Sequence, residues 1–413
     1  MPLVSGKRVL ALLFACGLVV LGYTSLTVHR RPETQFEGST GSMILRTEML
    51  QWAEHGYLAS YGLLAPTDDP HLLYRSWPGD FMLTTYAVVA IGGFDWQALA
   101  LHNLLISLLA SALLGFLAYR LALRGGAEPL HAFVYALGAE MVLFTFPENL
   151  AIYWGMTAQT MWLVPALLFL LIEEHAADGR TRRMNVMQAL LVFAMVRLQY
   201  VYALMFLVAY VVAIVLLGRE RPPLRRLALA VVVPAAAALA IFAAQLLVAR
   251  VDPEVKLFGS RFLYRTGLDG DGALYGDPLD IALGRDFIRA QRPGNREYLF
   301  RWPVLFWAGV LATLAAFAAY LRGRLPRGAI IALLSLLGAY LIHAAMFSQL
   351  VALHPYFFDP LLVPPLILAL FGVAPALAES ATNRTGLITA VTLFAAIWTS
   401  LFNVRVYALC YPL

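Results

Sequence analysis

The amino-acid sequence predicts an all-α polytopic membrane protein with about eleven transmembrane helices, and three observations carry that reading. Of the 413 residues, 61% are hydrophobic and only 13% charged, with a mean hydropathy of +0.73. A soluble domain is about half apolar and a quarter charged. Apolar runs of about 20 residues, enough to cross about 30 Å of hydrocarbon as helix, recur along the chain. Between them, basic residues gather in alternate short connections.

The expected spans fall near 8–28, 98–119, 130–146, 158–174, 186–197, 200–217, 227–249, 303–321, 328–348, 357–377 and 386–406. The first lies behind Lys7 and Arg8 and lacks a small-x-small cleavage site, so it reads as a retained helix rather than a signal peptide. The fifth and sixth form one apolar run broken at Arg197 and "LQY", too long for a single crossing, which predicts a tight hairpin. Residues 81–93 are too short to span and read as a half-buried helix at the membrane face. Arg120, Arg124, Arg180, Arg182, Arg183, Arg219, Arg322, Arg324 and Arg384 all fall on one side if the N-terminus is cytoplasmic. The positive-inside rule then places the C-terminus outside. The whole chain, 1–413, reads as one transmembrane domain, with two long extracytoplasmic segments at 29–97 and 250–302.

Several function classes are excluded at this level. The cytoplasmic connections are short, and no phosphate-binding glycine-rich loop is present, which argues against an ATP-driven pump. Two cysteines, Cys16 and Cys410, form no disulfide or metal framework. The net charge of +5 is spread out rather than clustered, so nucleic acid is not an expected partner. Arginine supplies 28 of the 30 basic residues, a coding bias that points to a GC-rich bacterium and to its plasma (inner) membrane.

Chemistry is therefore expected in the two long outer segments. In the first, "TQFEGSTGSMILRTEMLQWAEHGYL" (34–58) carries Glu37, a glycine- and hydroxyl-rich turn, and an amphipathic helix. Glu37 either joins Ser39, Thr40 or Ser42 in capping that helix or acts as a general base where acceptor and lipid-borne donor meet. The acid pair Asp68 and Asp69 in "PTDDPHLLYRSWPGDF" is a turn, a cation site or an alternative base. Arg75, between Tyr74 and Trp77, is either a snorkelling anchor or a phosphate ligand.

In the second long segment, Arg261 and Arg265 of "FGSRFLYR" are one helical turn apart, as a lipid-phosphate clamp or a solvated helix face would have them. Asp269 and Asp271 permit a divalent cation without the calcium-loop spacing. His354, Tyr356 and Asp359 cluster in "ALHPYFFDPLLVPPL", at the mouth of the tenth span. Glu148 and Trp154 lie in a short loop on the same side, and Arg197 and His343 read as helix-to-helix polar contacts.

Taken in order, these features resemble the GT-C polytopic glycosyltransferases that use polyprenyl-phosphate sugars. Protein O-mannosyltransferases and the aminoarabinose and galacturonic-acid transferases of lipid A are examples. The resemblance rests on Glu37 after the first span, "RTEMLQWAEHGY" ending in a glycine-aromatic step, "YRSWPGDFML" opening a half-buried helix, "FDWQALALHN" opening the next span, and "HPYFFDPLLVP". Glu37 stands earlier relative to Gly56 than the family's acid does, and Pro78 is single where the family has a proline pair. The resemblance implies an inverting transfer on the extracytoplasmic face, from a polyprenyl-phosphate sugar to a glycan, lipid or protein acceptor. It gives Glu37 or Asp69 the role of base, and Arg75, Arg261, Arg265, His354 and Tyr356 the lipid phosphate. No cofactor is required, with a divalent cation permitted. The alternative reading is a transporter or flippase of lipid-linked precursors, which would need paired repeats and charges at the bilayer midplane.

Overall fold

In a computed structural model, the structure describes residues 8–9, 11–19, 40–58, 63–64, 74–78, 83–146, 182–217, 228–248, 296–346, 359–382 and 384–410. The described chain is helical apart from one short two-stranded ladder. In order it comprises α1 (11–19), α2 (Thr40–His55), β1 (Leu63–Leu64), β2 (Tyr74–Pro78), α3 (Leu83–Gly92), α4 (Trp96–Arg124), α5 (Pro129–Phe144) and α6 (Arg182–Leu217). Next come α7 (Ala228–Val248), α8 (Arg296–Leu321), α9 (Arg327–Met346), α10 (Asp359–Ile367, continuing to Thr382) and α11 (Thr385–Cys410). Among the described residues, five stretches are long and apolar enough to cross a membrane: Trp96–Arg124, Arg183–Val201, Ala228–Val248, Val363–Thr382 and Thr385–Arg405. The chain is a helical membrane protein by the length and composition of these helices. The expected span at 158–174 lies outside the described residues, and residues 296–302 of the second long segment belong to α8.

Local chemistry sets the helix ends. Asp95 caps α4, its carboxylate accepting from the N–H groups of Gln97 (3.2 Å) and Ala98 (3.1 Å). At the other end Gly126 adopts φ +96, which a side chain would resist, and closes a Schellman turn. Ala127 N–H donates to Ala122 O (3.0 Å) and Gly126 N–H to Leu123 O (3.1 Å). Pro129 then opens α5, where a missing N–H costs nothing. The α8–α9 connection repeats the device at Gly323, φ +72. These turns join α4 to α5, which pack extensively on one another, and α8 to α9.

α6 is a hairpin. Gln199 leaves helical geometry (φ −158, ψ 84), and Gln188 Nε2 donates to the Tyr210 hydroxyl at 2.9 Å. Those two residues would lie about 33 Å apart on a straight helix, so the chain folds back at Gln199, beside the predicted break at "LQY". Tyr210→Phe is expected to leave the buried Gln188 amide short of an acceptor and cost about 1–2 kcal/mol, read as lowered thermal stability in detergent.

Close approach at small residues binds the bundle, as expected where lipid removes any hydrophobic preference for helix contact. A Cβ on Gly338 would lie 3.1 Å from Ala209 Cβ, joining α9 to α6. One on Gly372 would lie 3.0 Å from Ala118 Cβ, joining α10 to α4, and one on Gly138 would lie 3.1 Å from Ala396 Cβ, joining α5 to α11. Asn403 Nδ2 adds donations to Val142 O and Thr145 Oγ1, both at 3.3 Å. Two π-helical turns, Ala228–Val232 in α7 and Leu368–Val373 in α10, each end two residues before a proline, Pro234 and Pro375. A proline lacks the N–H for the α-helical bond and its ring crowds the carbonyl four residues back, so the preceding turn widens. On α11, Leu387, Val391, Phe394, Trp398 and Leu401 are all exposed at alternating spacings of four and three, which puts them on one face. Such a stripe is the lipid-facing surface of a membrane helix.

In the first long segment, the described helices α2 and α3 pack together next to α4. Met49 and Trp52 are buried on α2, while Leu50 and Glu54 face outward. Ala53 is exposed. The Trp52 ring meets Tyr57 (4.9 Å) and Tyr86 of α3 (5.5 Å) edge to face. α3 occupies the expected half-buried stretch, with Thr85 and Val89 buried and Ile91 exposed. It packs on both α2 and α4. β1 and β2 pair antiparallel, Leu63 opposite Pro78 and Leu64 opposite Tyr74.

Candidate functional site

Most of the residues favoured by the sequence lie outside the described residues. Glu37, Asp69, Arg261, Arg265, His354 and Tyr356 lie outside the described residues, as do Asp68, Asp269, Asp271, Glu148 and Trp154. Arg75 lies in β2, described for its backbone, and β2 packs against the α6 hairpin. Asp359 is the first residue of α10, and His343 lies within α9. Among the described residues, no group of three His, Cys, Asp or Glu is placed to hold a metal ion.

The structure brings together a different set at the bend of α6. Arg197 is 7% exposed and Gln199 is 3% exposed. The amide oxygen and nitrogen of Gln199 are buried and make no hydrogen bond among the described residues. Arg197 is engaged by its neighbours, as the sequence reading expects of a polar group between helices. Tyr200 meets Phe242 of α7 with ring centres 5.7 Å apart. One turn further on, Gln245 precedes the end of α7 at Val248, where the long basic segment begins. The α6 bend thus adjoins the end of α7, and β2 of the first outer segment packs on the same hairpin.

Two further polar clusters were not singled out by sequence reasoning. At the Arg124 end of α4, His131 Nδ1 lies 2.8 Å from Glu379 Oε1, and Tyr135 donates to Glu379 Oε2 at 3.0 Å. Thr389 Oγ1 lies 3.2 Å from the same Tyr135 hydroxyl, so the cluster ties α5, α10 and α11 together. Both carboxyl oxygens of Glu379 and the Tyr135 hydroxyl have partners, which marks the clasp as structural. Glu379→Ala is expected to take the partner from His131 Nδ1, leave Tyr135 with Thr389 alone and cost about 2 kcal/mol of stability, whereas Glu379→Gln should retain most of it; thermal denaturation in detergent separates the two.

The second cluster centres on Glu140, 1% exposed, with both carboxyl oxygens unpartnered among the described residues. A Cβ on Gly17 would sit 2.6 Å from Glu140 Oε1, and one on Gly115 would sit 3.2 Å from Glu140 Cβ. The acid therefore lies where α1, α4 and α5 meet. Its signal was present in the sequence: a lone carboxylate within an apolar span is a functional candidate by default.

Neither a protein-family model nor a curated protein sequence matches the chain. What the fold defines is a class, the helical membrane proteins.

Proposed function

We propose that the protein is a GT-C-type glycosyltransferase with about eleven spans, working on the extracytoplasmic face of a bacterial inner membrane, with a cytoplasmic N-terminus. One observation carries the reading: strand β2, which holds Arg75, packs against the same α6 hairpin whose bend adjoins the end of α7. The first long segment thereby packs on the hairpin that adjoins α7, from whose end the second, with Arg261 and Arg265, departs. A reaction between a lipid-borne donor and an aqueous acceptor needs loop residues brought together at one end of a bundle. The transporter alternative would draw on the buried Glu140, but the two halves of the sequence show no convincing repeat.

The chemistry is a single displacement. Glu37 takes the proton of the acceptor hydroxyl, with Asp69 the second candidate for the same role. The acceptor oxygen forms its bond to the anomeric carbon from the face opposite the lipid phosphate, and the bond from that carbon to the phosphate oxygen breaks with inversion. The electron pair leaves on the phosphate, where Arg75, Arg261, Arg265, His354 and Tyr356 stabilise the developing charge. No nucleotide takes part, and a divalent cation on the acid pairs is compatible with the step without being needed for it.

Purified protein supplied with radiolabelled polyprenyl-phosphate sugars and a cell-envelope acceptor extract is expected to transfer label. Glu37→Gln should lower the rate at least 100-fold, on the order of a lost general base, while leaving thermal stability unchanged. Full activity in that variant would remove Glu37 from the role, and no transfer from any donor in the wild-type protein would remove the transferase reading.

A further inference from the structure

Glu140 is a buried acid that the proposed transfer does not use. Its side chain is 1% exposed, and neither carboxyl oxygen has a partner among the described residues. Two glycines on two other helices make room for it. A Cβ on Gly17 of α1 would lie 2.6 Å from Glu140 Oε1 and would also strike Leu108, and one on Gly115 of α4 would lie 3.2 Å from Glu140 Cβ. Any larger residue at Gly17 would take the space that the carboxyl fills. The acid thus has a fitted place between helices, bounded by glycine backbone and by Leu108.

Such a place suits one ligand. A carboxylate with no hydrogen-bond donor and no counter-charge costs far more in an apolar interior than the neutral acid does, so the group takes up a proton. A metal ion would need several oxygens, and among the described residues no group of three His, Cys, Asp or Glu is placed to supply them. The ionisable groups on the surrounding helices do not replace the proton. Cys16, next to Gly17 on α1, interacts with Glu140, and a thiol supplies a neutral or negative neighbour, never a positive one. His131 and Tyr135 of α5 are both engaged with Glu379 of α10. Tyr119 of α4 is buried in an apolar cluster, and Arg405 of α11 is exposed. Asp359 begins α10 twelve residues before Phe371, which faces Gly138 of α5.

Of the three helices around the acid, α1 is the one that can give way. α4 and α5 are joined by the turn at Gly126 and pack extensively on one another. α1 lies against them through Leu13, Phe14 and Gly17, while Leu12, Leu18 and Val19 are exposed on its other side. From these contacts we infer that Glu140 is a proton-binding site closed by α1. The carboxyl carries a proton while α1 is seated. When α1 lifts and water enters, the O–H bond breaks, the proton passes to water and the electron pair stays on the carboxylate. Protonation therefore tightens the seat of α1, and loss of the proton at higher pH loosens it by the same factor. The site stands apart from the transferase reading.

The full chain in nanodiscs provides the test, with the proton itself as ligand. A neutral carboxyl has a carbonyl stretching band in the infrared that a carboxylate lacks. Wild-type protein is expected to show such a band at neutral pH, absent from Glu140→Gln, and to lose it on alkaline titration. Hydrogen exchange of peptides covering 11–19, taken relative to Glu140→Gln at each pH, should then rise by up to about tenfold per pH unit, the slope of one linked proton. Gly17→Ala crowds the carboxyl and Leu108, so it should unseat α1 and move the loss of the band to lower pH. Absence of a Glu140 band at neutral pH overturns the site. Exchange of 11–19 that is equal in wild type and Glu140→Gln at every pH overturns the role of α1, and so does a shift of the band to higher pH in Gly17→Ala. If Glu140→Gln does not fold, the wild type decides by itself. Its band and its protection of 11–19 must then vanish along one pH course, and separate courses overturn the coupling.

Discussion

Gly115→Val is expected to prevent the bundle from assembling in a stable form. Gly115 lies where α4 and α5 press together, and a Cβ there would come within 2.9 Å of the Ala136 carbonyl oxygen and 3.2 Å of Glu140 Cβ. The first of these atoms is backbone in the middle of a helix, so it has nowhere to retreat without breaking its own hydrogen bonds. Alanine would force the two helices apart by a few tenths of an ångström. Valine adds two further methyls with one preferred rotamer in a helix, so the contact must open more widely. The same contact surface seals Glu140, and opening it would loosen α1 as well, since Gly17 faces the same acid and Leu108. The expected cost is about 3 kcal/mol or more, at the upper end of overpacking effects. Gly386 provides the control. Nothing lies within 4 Å of the Cβ it lacks, so Gly386→Ala should be neutral or stabilise α11 by up to about 1 kcal/mol. Thermal denaturation in detergent, followed by size-exclusion chromatography, should show Gly115→Val aggregated at temperatures where Gly386→Ala remains monodisperse. Equal stability of the two would mean that α4 and α5 do not pack at Gly115.

The parts of this fold that were legible in the sequence are those governed by periodicity and chain stiffness. The span at 98–119 extends to Trp96–Arg124, because Asp95 supplies a cap and Gly126 a stop that hydropathy does not weigh. The break at "LQY" was visible because an apolar run of that length cannot cross once, and the bend falls on Gln199. The half-buried helix before α4 was visible because Pro78 precedes an apolar stretch too short to span. Other features depend on contacts between distant segments, which no local pattern carries. The π turns follow from Pro234 and Pro375, but only packing such as that of Gly372 on Ala118 shows why a widened turn is tolerated there. The β1–β2 ladder was missed because its strands are only two and five residues long, below the length at which alternation can be read.

The candidate site divides along the same line. Glu37 and the arginines of the long segments stood out because polar groups at the ends of spans are conspicuous in an apolar chain. Gln199 did not, since a single uncharged amide beside Tyr200 looks like any interhelical contact until its two atoms are found without partners. Arg197 was read as a buried helix-to-helix contact, and its 7% exposure agrees with that.

Glu140→Met is expected to stabilise the protein. Glu140 sits beside Gly115, nine residues from the Arg124 end of α4, or about 14 Å along the helix, which is close to the middle of a bilayer. An ionisable side chain at that depth costs about 2.5–3.5 kcal/mol by insertion measurements when nothing compensates it. Glu140 has no compensating partner among the described residues, and its neighbours there include Leu108, Gly115 and the backbone of Gly17. Methionine has nearly the same length and can follow the same path between α1 and α4 without new branching. A gain of about 2 kcal/mol is expected, visible as a rise in denaturation temperature. Glu140→Gln should gain less, because a buried amide still lacks partners. The pattern separates two explanations of why a chain would keep such an acid. If Glu140→Met is more stable and transfers sugar at the wild-type rate, the acid is a tolerated cost with no part in the proposed transfer. If it is more stable and inactive, stability has been given up for a function at mid-bilayer depth, and the transporter reading gains its missing charge. A loss of stability would mean instead that Glu140 is satisfied, by a partner beyond the described residues.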